Sequence, residues 1–168
     1  GISKFKTNDF KGAIEPLSKA IEAGTKEANV FSARGSSHFE LKTYDKAISD
    51  LAKSISLGES SAAIYYQLGT ARFITKDYSN AQLDLDKAIN SGVNEAMAFD
   101  RRGFCKLESK KYEEAQNDFS LAIDRDAKLA IAFFHRGDAR YWLKNTSAAL
   151  DDYTQAVNLG HKDPALYN

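Results

Sequence analysis

Residues 62–92 read AAIYYQLGTARFITKDYSNAQLDLDKAINSG. Apolar residues recur at three- and four-residue spacing on both sides of the polar break Lys76-Asp77, so the stretch reads as two helices, Ala62–Thr75 and Ser79–Ser91. A break that short leaves room only for an antiparallel turn, which makes the unit a helix-turn-helix. The unit recurs along the whole chain. Gly1, Gly35, Gly69, Gly103 and Gly137 stand 34 residues apart, and Ala13, Ala47, Ala81, Ala115 and Ala149 keep the same period. An aromatic residue, Phe10, Tyr44, Tyr78 or Tyr112, lies three residues before each of the first four alanines, and Thr146 takes that place before the fifth.

Glycine inside a helix costs roughly 1 kcal/mol against alanine, so a column of it implies that two backbones approach closely; Ala47, small and on the second helix, is the expected partner of Gly35. A second column, Gly24, Gly58, Gly92 and Gly160, closes the second helix, with Asp126 departing in the fourth copy. One hairpin of this size cannot bury both of its apolar faces, so neighbouring units are expected to stack. The expected fold is all-α, an α-solenoid in a single domain over 1–168. Full repeats are assigned to 28–61, 62–95, 96–129 and 130–163, a partial repeat to 1–27 and the start of a further helix to 164–168. Neither end reads as a polar cap and the chain opens without Met in a helical stretch. The expectation is an excerpt of which at least one end is covered by further repeats or a partner.

Composition narrows the function. Lys+Arg and Asp+Glu number 23 each in 168 residues, so the net charge is zero and the footprint of a nucleic-acid or anionic-membrane binder is absent. The longest apolar run, Leu129 to Phe134, is far short of a membrane span. Cys105 is the only cysteine, and with three scattered histidines it offers no metal-ligand spacing and no disulfide. Its column otherwise holds Ser3, Ser37, Ala71 and Ala139, which marks a packing position rather than a nucleophile. No catalytic constellation assembles, so no catalytic residue, metal or cofactor is expected.

Within one copy, Tyr65, Leu68-Gly69, Tyr78, Ala81, Leu85 and Ala88 resemble the pattern of the tetratricopeptide repeat (TPR) family, and the resemblance covers essentially the whole chain. It implies a right-handed superhelical array. The family's closing Pro is replaced by Thr25, Glu59, Val93, Ala127 and His161. Its Leu before the glycine is Arg34, Arg102 and Arg136 in three copies, and its aromatic after the glycine is His38, Arg72, Lys106 and Arg140. Asp50, Asp84, Asp118 and Asp152 repeat on the second helix with the same period. Antiparallel packing would bring Arg34 to Asp50, Arg102 to Asp118 and Arg136 to Asp152, with Arg72 serving Asp84 where Leu68 replaces the arginine. The basic column is therefore read as structural, because buried charges need partners.

The resemblance further implies a non-catalytic interaction scaffold whose concave groove, formed by the first helix of each repeat, binds a peptide or helix of a partner protein. Carried over copy by copy, its groove positions here are Tyr66, Gln67, Thr70, Met97, Asp100, Arg101, Phe104, Ile131, Phe134, His135 and Asp138. The groove is expected to be small and polar at Asn29, Ser32 and Ser36 and apolar to aromatic from Tyr66 onward, which suits a partner segment with apolar side chains. The neighbouring column Phe5, Phe39, Phe73, Leu107 and Tyr141 is read mostly as packing, and Trp142 as a groove edge or part of an uncapped end. A chaperone C-terminal carboxylate is disfavoured, since of the basic and amide clamp positions only Arg101 keeps the expected type against Ser32, Ser36, Gln67 and Met97. Two alternatives stand beside this one: self-association through uncapped ends, and a docking domain of a larger enzyme. Nucleic acid and direct membrane insertion are not expected.

Overall fold

The structure, a computed structural model, describes residues 1–162. The helix start expected at 164–168, and the last residue of the repeat assigned to 130–163, lie outside the described residues. Among the described residues the chain is all helix, with ten helices and no strand, in consecutive packed pairs. They fall into two compact units, one ending at Val93 and one beginning at Asn94. The first unit holds α1 (Ile2–Lys6), α2 (Phe10–Glu22), α3 (Ala28–Glu40), α4 (Tyr44–Ser56), α5 (Ala62–Ile74) and α6 (Tyr78–Asn90). The second holds α7 (Ala96–Glu108), α8 (Tyr112–Arg125), α9 (Ala130–Trp142) and α10 (Thr146–Asn158).

Within each unit the second helix of one hairpin also packs on the first helix of the next: α2 on α3 and α4 on α5, then α8 on α9. The apolar core follows that path. Leu17 of α2 is buried with Val30 and Ala33 of α3, and Ala47 and Leu51 of α4 with Ile64 and Leu68 of α5. In the second unit Phe119 of α8 packs with Leu107 of α7 and Ala139 of α9. Cys105, fully buried on α7, occupies the small-residue column as a packing group.

The glycine column marks a close approach, but its partner is not Ala47. A Cβ on Gly35 would stand 2.9 Å from Leu51 Cγ, one turn beyond Ala47. On Gly69 it would stand 2.9 Å from Leu85 Cγ and 3.1 Å from the Leu85 backbone nitrogen, and on Gly103 2.8 Å from a ring carbon of Phe119. The hairpin places each residue of the first helix opposite the one sixteen positions later, so a bulky side chain, not alanine, fills the space over the glycine.

Both turns of the repeat use left-handed backbone. Gly24, Gly58, Gly92 and Gly160 have φ between 86° and 106°, as expected of helix-closing glycines. Asp126 instead has φ −142°, and α8 runs to fourteen residues where its counterparts have thirteen. The turn inside each hairpin is also left-handed at Asn8, Lys42, Lys76, Lys110 and Lys144, with φ of 58–65°, a column that the sequence reading did not detect. A side chain there costs roughly 1 kcal/mol. Backbone bonds that cap the preceding helix offset it: Lys76 N–H donates to Phe73 C=O at 3.0 Å and Asp77 N–H to Arg72 C=O at 2.9 Å.

The register that pairs glycine with leucine also joins the charged columns as expected. Arg34 donates through Nε and Nη2 to the two carboxylate oxygens of Asp50, at 2.7 and 2.8 Å. Arg102 grips Asp118 in the same two-pronged way with Lys106 Nζ adding a contact at 2.9 Å. Arg136 holds Asp152 through the same fork, at 3.0 and 2.7 Å, and Arg140 adds a contact at 2.7 Å. Asp84 receives one nitrogen of Arg72. Burial pushes the Asp84 carboxyl above the usual range while Arg72 pulls the other way. His38, at the Arg72 position of its copy, is buried; its Nδ1 meets Thr43 Oγ1 at 2.8 Å, and that hydroxyl donates to the His38 carbonyl. Burial, assisted by Lys46 and Arg34, pushes the His38 ring below the usual histidine value, against the pull of Asp50.

Three outcomes follow from this frame. Gly69→Ala loses about 1–3 kcal/mol to the Leu85 clash, more than the ~1 kcal/mol of helix propensity it gains, and the loss shrinks in a Leu85→Ala background. Thermal melts of the four proteins read it, and an unchanged melting temperature for Gly69→Ala would remove close approach as the reason for the column. Asp118→Asn removes the charged carboxylate that Arg102 and Lys106 share and costs about 3 kcal/mol. By contrast, Glu15→Gln in the exposed Lys19–Glu15 pair changes stability by less than about 0.5 kcal/mol. Urea titration separates the two. Because the folded His38 pKa lies below the unfolded one, the unfolded chain takes up this proton first, so stability falls as pH drops through and below about 6.5. The fall is smaller in His38→Gln, as unfolding free energies between pH 5 and 8 would register.

Candidate functional site

The first helix of each hairpin carries the residues assigned to the groove. In the first unit α5 presents Tyr66 and Gln67 half-buried, whereas Thr70 is buried. Gln67 is fixed from the preceding first helix, α3, where Ser36 Oγ donates to its Oε1 at 2.6 Å. The polar character expected near Ser36 is thus turned inward, linking two helices.

The second unit gathers the larger set. Met97, Arg101 and Phe104 on α7 and Ile131, Phe134 and Asp138 on α9 are all half-buried. Asp100 and His135 are buried, at 2% and 8% exposure, and face one another, with His135 Nδ1 at 2.9 Å from Asp100 Oδ1. Phe104, Phe119 and Phe134 ring the imidazole at centroid distances of 4.9, 5.4 and 6.1 Å. His135 therefore sits in the base of this face as a link between α7 and α9. It supports Phe104 and Phe134 from below.

Residues outside the assigned set complete the surroundings. Tyr153 on α10 donates its hydroxyl to Asp138 Oδ1 at 2.9 Å, and burial together with the Asp138 charge holds the phenol well above its usual pKa. Phe134 lies against His161 and Tyr153, with centroids 4.6 and 5.7 Å away. Tyr153 shares a column with Leu17, Leu51, Leu85 and Phe119 and so was readable as packing; its hydroxyl bond depends on an aspartate that only this copy has. The packing column behaves as expected at Phe39, which leans on Leu51's cluster, and at Leu107, which is buried in its own. Tyr141 departs, 52% exposed at the end of α9, next to Trp142 at 53%.

Two further features bear on chemistry. A cleft of about 320 Å³ among α2, α3 and α4 is lined by Arg34, Asp50, His38 and Lys46. Arg34 there is engaged by Asp50 and by Ser18 Oγ at 3.0 Å. Among the described residues no three His, Cys, Asp or Glu side chains converge as a metal site, and no helix is long and apolar enough to cross a membrane.

Comparison with known proteins agrees with the geometry. The tetratricopeptide repeat family profile matches residues 62–91, the hairpin of α5 and α6. No curated protein matches the chain in sequence. Among solved structures, YrrB, a TPR protein with an unusual peptide-binding site, superimposes with a TM-score of 0.83 at 22% identity, over 94% of this chain and 81% of that one. The MamA protein gives 0.80 at 24% identity, over 100% of this chain and 91% of the other. Residues 41 to the end of MamA from Desulfovibrio magneticus RS-1 give 0.78 at 16% identity, over 94% and 89%. At these identities the likeness is one of fold. With a tetratricopeptide repeat matched at residues 62–91 and the same hairpin packing in each unit, the chain has the fold of tetratricopeptide-repeat proteins.

Proposed function

We propose that this chain is a non-catalytic interaction scaffold that holds a peptide or helical segment of a partner protein on the first-helix face of its second unit. Tetratricopeptide folds are interaction scaffolds in general, and YrrB is a TPR protein with an unusual peptide-binding site. For the specific reading one observation carries the weight. Met97, Phe104, Ile131 and Phe134 remain half-exposed on α7 and α9 while the polar pair beneath them, Asp100 and His135, is buried and bonded. Large apolar side chains held in place by a buried hydrogen bond are prepared for a partner, because ordering them on binding costs little further entropy. Their chemistry favours a segment that is itself mainly apolar. In the first unit Tyr66 and Gln67 stand on the equivalent first helix, with Gln67 held by Ser36.

The reading is tested by affinity capture from native lysate with the 168-residue chain, Phe134→Glu and Met97→Lys, each first shown by thermal melt to be folded. Truncating or charging a central aromatic contact typically costs 2 kcal/mol or more, so the expected result is a captured protein whose retention falls by about thirtyfold or more in both variants. Capture unchanged in both would overturn the reading. Recovery of the bait alone would point to self-association.

A further inference from the structure

In the first unit, the cleft of about 320 Å³ among α2, α3 and α4 is lined by Ser18, Arg34, His38, Lys46, Ser49 and Asp50. None of these belongs to the proposed binding face. His38 is only 7% exposed. Its Nδ1 meets Thr43 Oγ1 at 2.8 Å, and that hydroxyl already donates its hydrogen to the His38 carbonyl at 3.1 Å. A hydroxyl has one hydrogen to give, so the hydrogen between ring and hydroxyl belongs to the ring and Nδ1 is the donor. The proton that His38 gains or loses is therefore on Nε2, which is bonded to none of the described residues, on a side chain that forms part of the cleft wall.

The later copies show what the repeat itself places here. Where this copy has His38 they carry Arg72, Lys106 and Arg140, each sending a nitrogen to the aspartate of its own hairpin, Asp84, Asp118 or Asp152. Where it has Lys46 they carry Asn80, Glu114 and Ala148. Both oxygens of Asp50 are taken by Arg34, and no ion pair joins Asp50 to Lys46. The aspartate therefore does not explain Lys46, and a short imidazole stands where the other copies have a long cation.

We propose that this cleft binds a tetrahedral oxyanion of the phosphate or sulfate type, held by Lys46 and by His38 protonated at Nε2, with Ser18 and Ser49 as hydroxyl donors. Arg34 and Asp50 neutralise one another and stay paired, so the charge left over in the lining is that of Lys46. Ser18 Oγ accepts from Arg34 Nη1 at 3.0 Å, which leaves its own hydrogen free to donate. The charged groups facing His38 are Arg34 on α3 and Lys46 and Asp50 on α4, while α2 brings only Ile14 and Ser18 to the cleft. Burial holds the empty site's imidazole below the usual histidine value; Asp50 pulls the other way, and Lys46 and Arg34 add to the depression. An anion reverses the effect of those cations, because it gives Lys46 a counter-charge and favours Nε2 as a donor over Nε2 as a lone pair. A cation would meet Lys46 unpaired, and an apolar group would strip water from its ammonium. A carboxylate brings one charge where the protonated site presents two. Proton and dianion are thus taken up together, independently of the binding face.

The 168-residue protein is titrated with sodium sulfate, which keeps both negative charges throughout, at an ionic strength held constant with chloride. The ring-proton resonance of His38 is assigned by its absence in His38→Gln, or by its through-space contact with Thr43 if that variant does not fold. The expected result is a saturable shift of this resonance, with affinity about tenfold higher at about pH 5.5 than at about pH 8. Lys46→Gln, at an exposed position, weakens binding about tenfold, whereas Lys42→Gln on the neighbouring turn changes it by less than about twofold. Inorganic phosphate and N-acetyl-phosphoserine amide separate the sources: phosphate bound at least as tightly assigns the free ion, and tighter phosphoserine a phosphorylated partner. No saturation up to about 50 mM sulfate, affinity indifferent to pH, or equal losses in the two lysine variants would overturn the proposal. The last outcome would mean that a diffuse field, not this cleft, holds the anion.

Discussion

The contact on which the architecture depends is made by an absent side chain. At Gly35, Gly69 and Gly103 the first helix of a hairpin comes so near the second that a single Cβ would collide with Leu51, Leu85 or Phe119. That approach fixes the sixteen-residue register, and the register decides what else can meet. One position before the glycine lies the arginine, and one before the leucine lies the aspartate, so closing the hairpin delivers Arg34 to Asp50 and Arg102 to Asp118 in two-pronged geometry. Packing and charge pairing are thus one constraint. A glycine replaced by a larger residue would not only separate two helices but also lengthen hydrogen bonds between groups that are nearly dry.

This bears on function by subtraction. A chain with as many acids as bases could still carry a basic stripe for phosphate or acidic peptides, and Arg34, Arg102 and Arg136, with Arg72 one turn on in the copy where Leu68 stands, could form one. Each of these guanidinium groups is held by an aspartate, with side-chain exposures of 13–21% for the arginines and 3–7% for the acids. A ligand phosphate would have to displace a carboxylate already fitted to the fork, at the cost of leaving that carboxylate buried and unpaired. These four arginines are structural. The proposed binding face uses other residues of the first helices, where half-buried apolar side chains surround a buried polar pair.

Much of this was legible in the sequence because period and register are written in it. The helix pairs, the helix-closing glycines, the departure at Asp126, the packing role of Cys105 and all four Arg–Asp partnerships follow from a repeat of 34 and an antiparallel hairpin. Legibility ended where one surface had to be weighed against another. Ala47 resembled the partner of Gly35 because both are small, but the space above a glycine is filled by whichever side chain reaches it, and Leu51 is opposite. The left-handed turn at Lys42, Lys76 and Lys110 carries no glycine to announce it; the backbone bonds that cap the helix hold it in place. His135 reads like Arg101 or Gln67 when only its column is considered. Its burial comes from Asp100, one copy earlier in a neighbouring column, and from three phenylalanines drawn from different helices.

In a repeat protein, what the average unit contains explains the fold, so recognition is to be sought where one unit differs from the others without structural need. Asp126 differs, and the helix before it simply ends one residue later. Leu68 differs, and Arg72 moves in from the next turn to hold Asp84. Those departures are compensated within the chain. Phe104 and Asp138 are met in the same way, Phe104 by His135 and the Phe119 cluster. Asp138 is bonded by Tyr153, a residue of the packing column, and Trp142 stacks on Tyr112, yet half of the indole still faces water in a structure that elsewhere buries Phe119 completely. Trp142, in the place that Ile74 and Glu108 hold in earlier copies, is the departure that packing leaves half open.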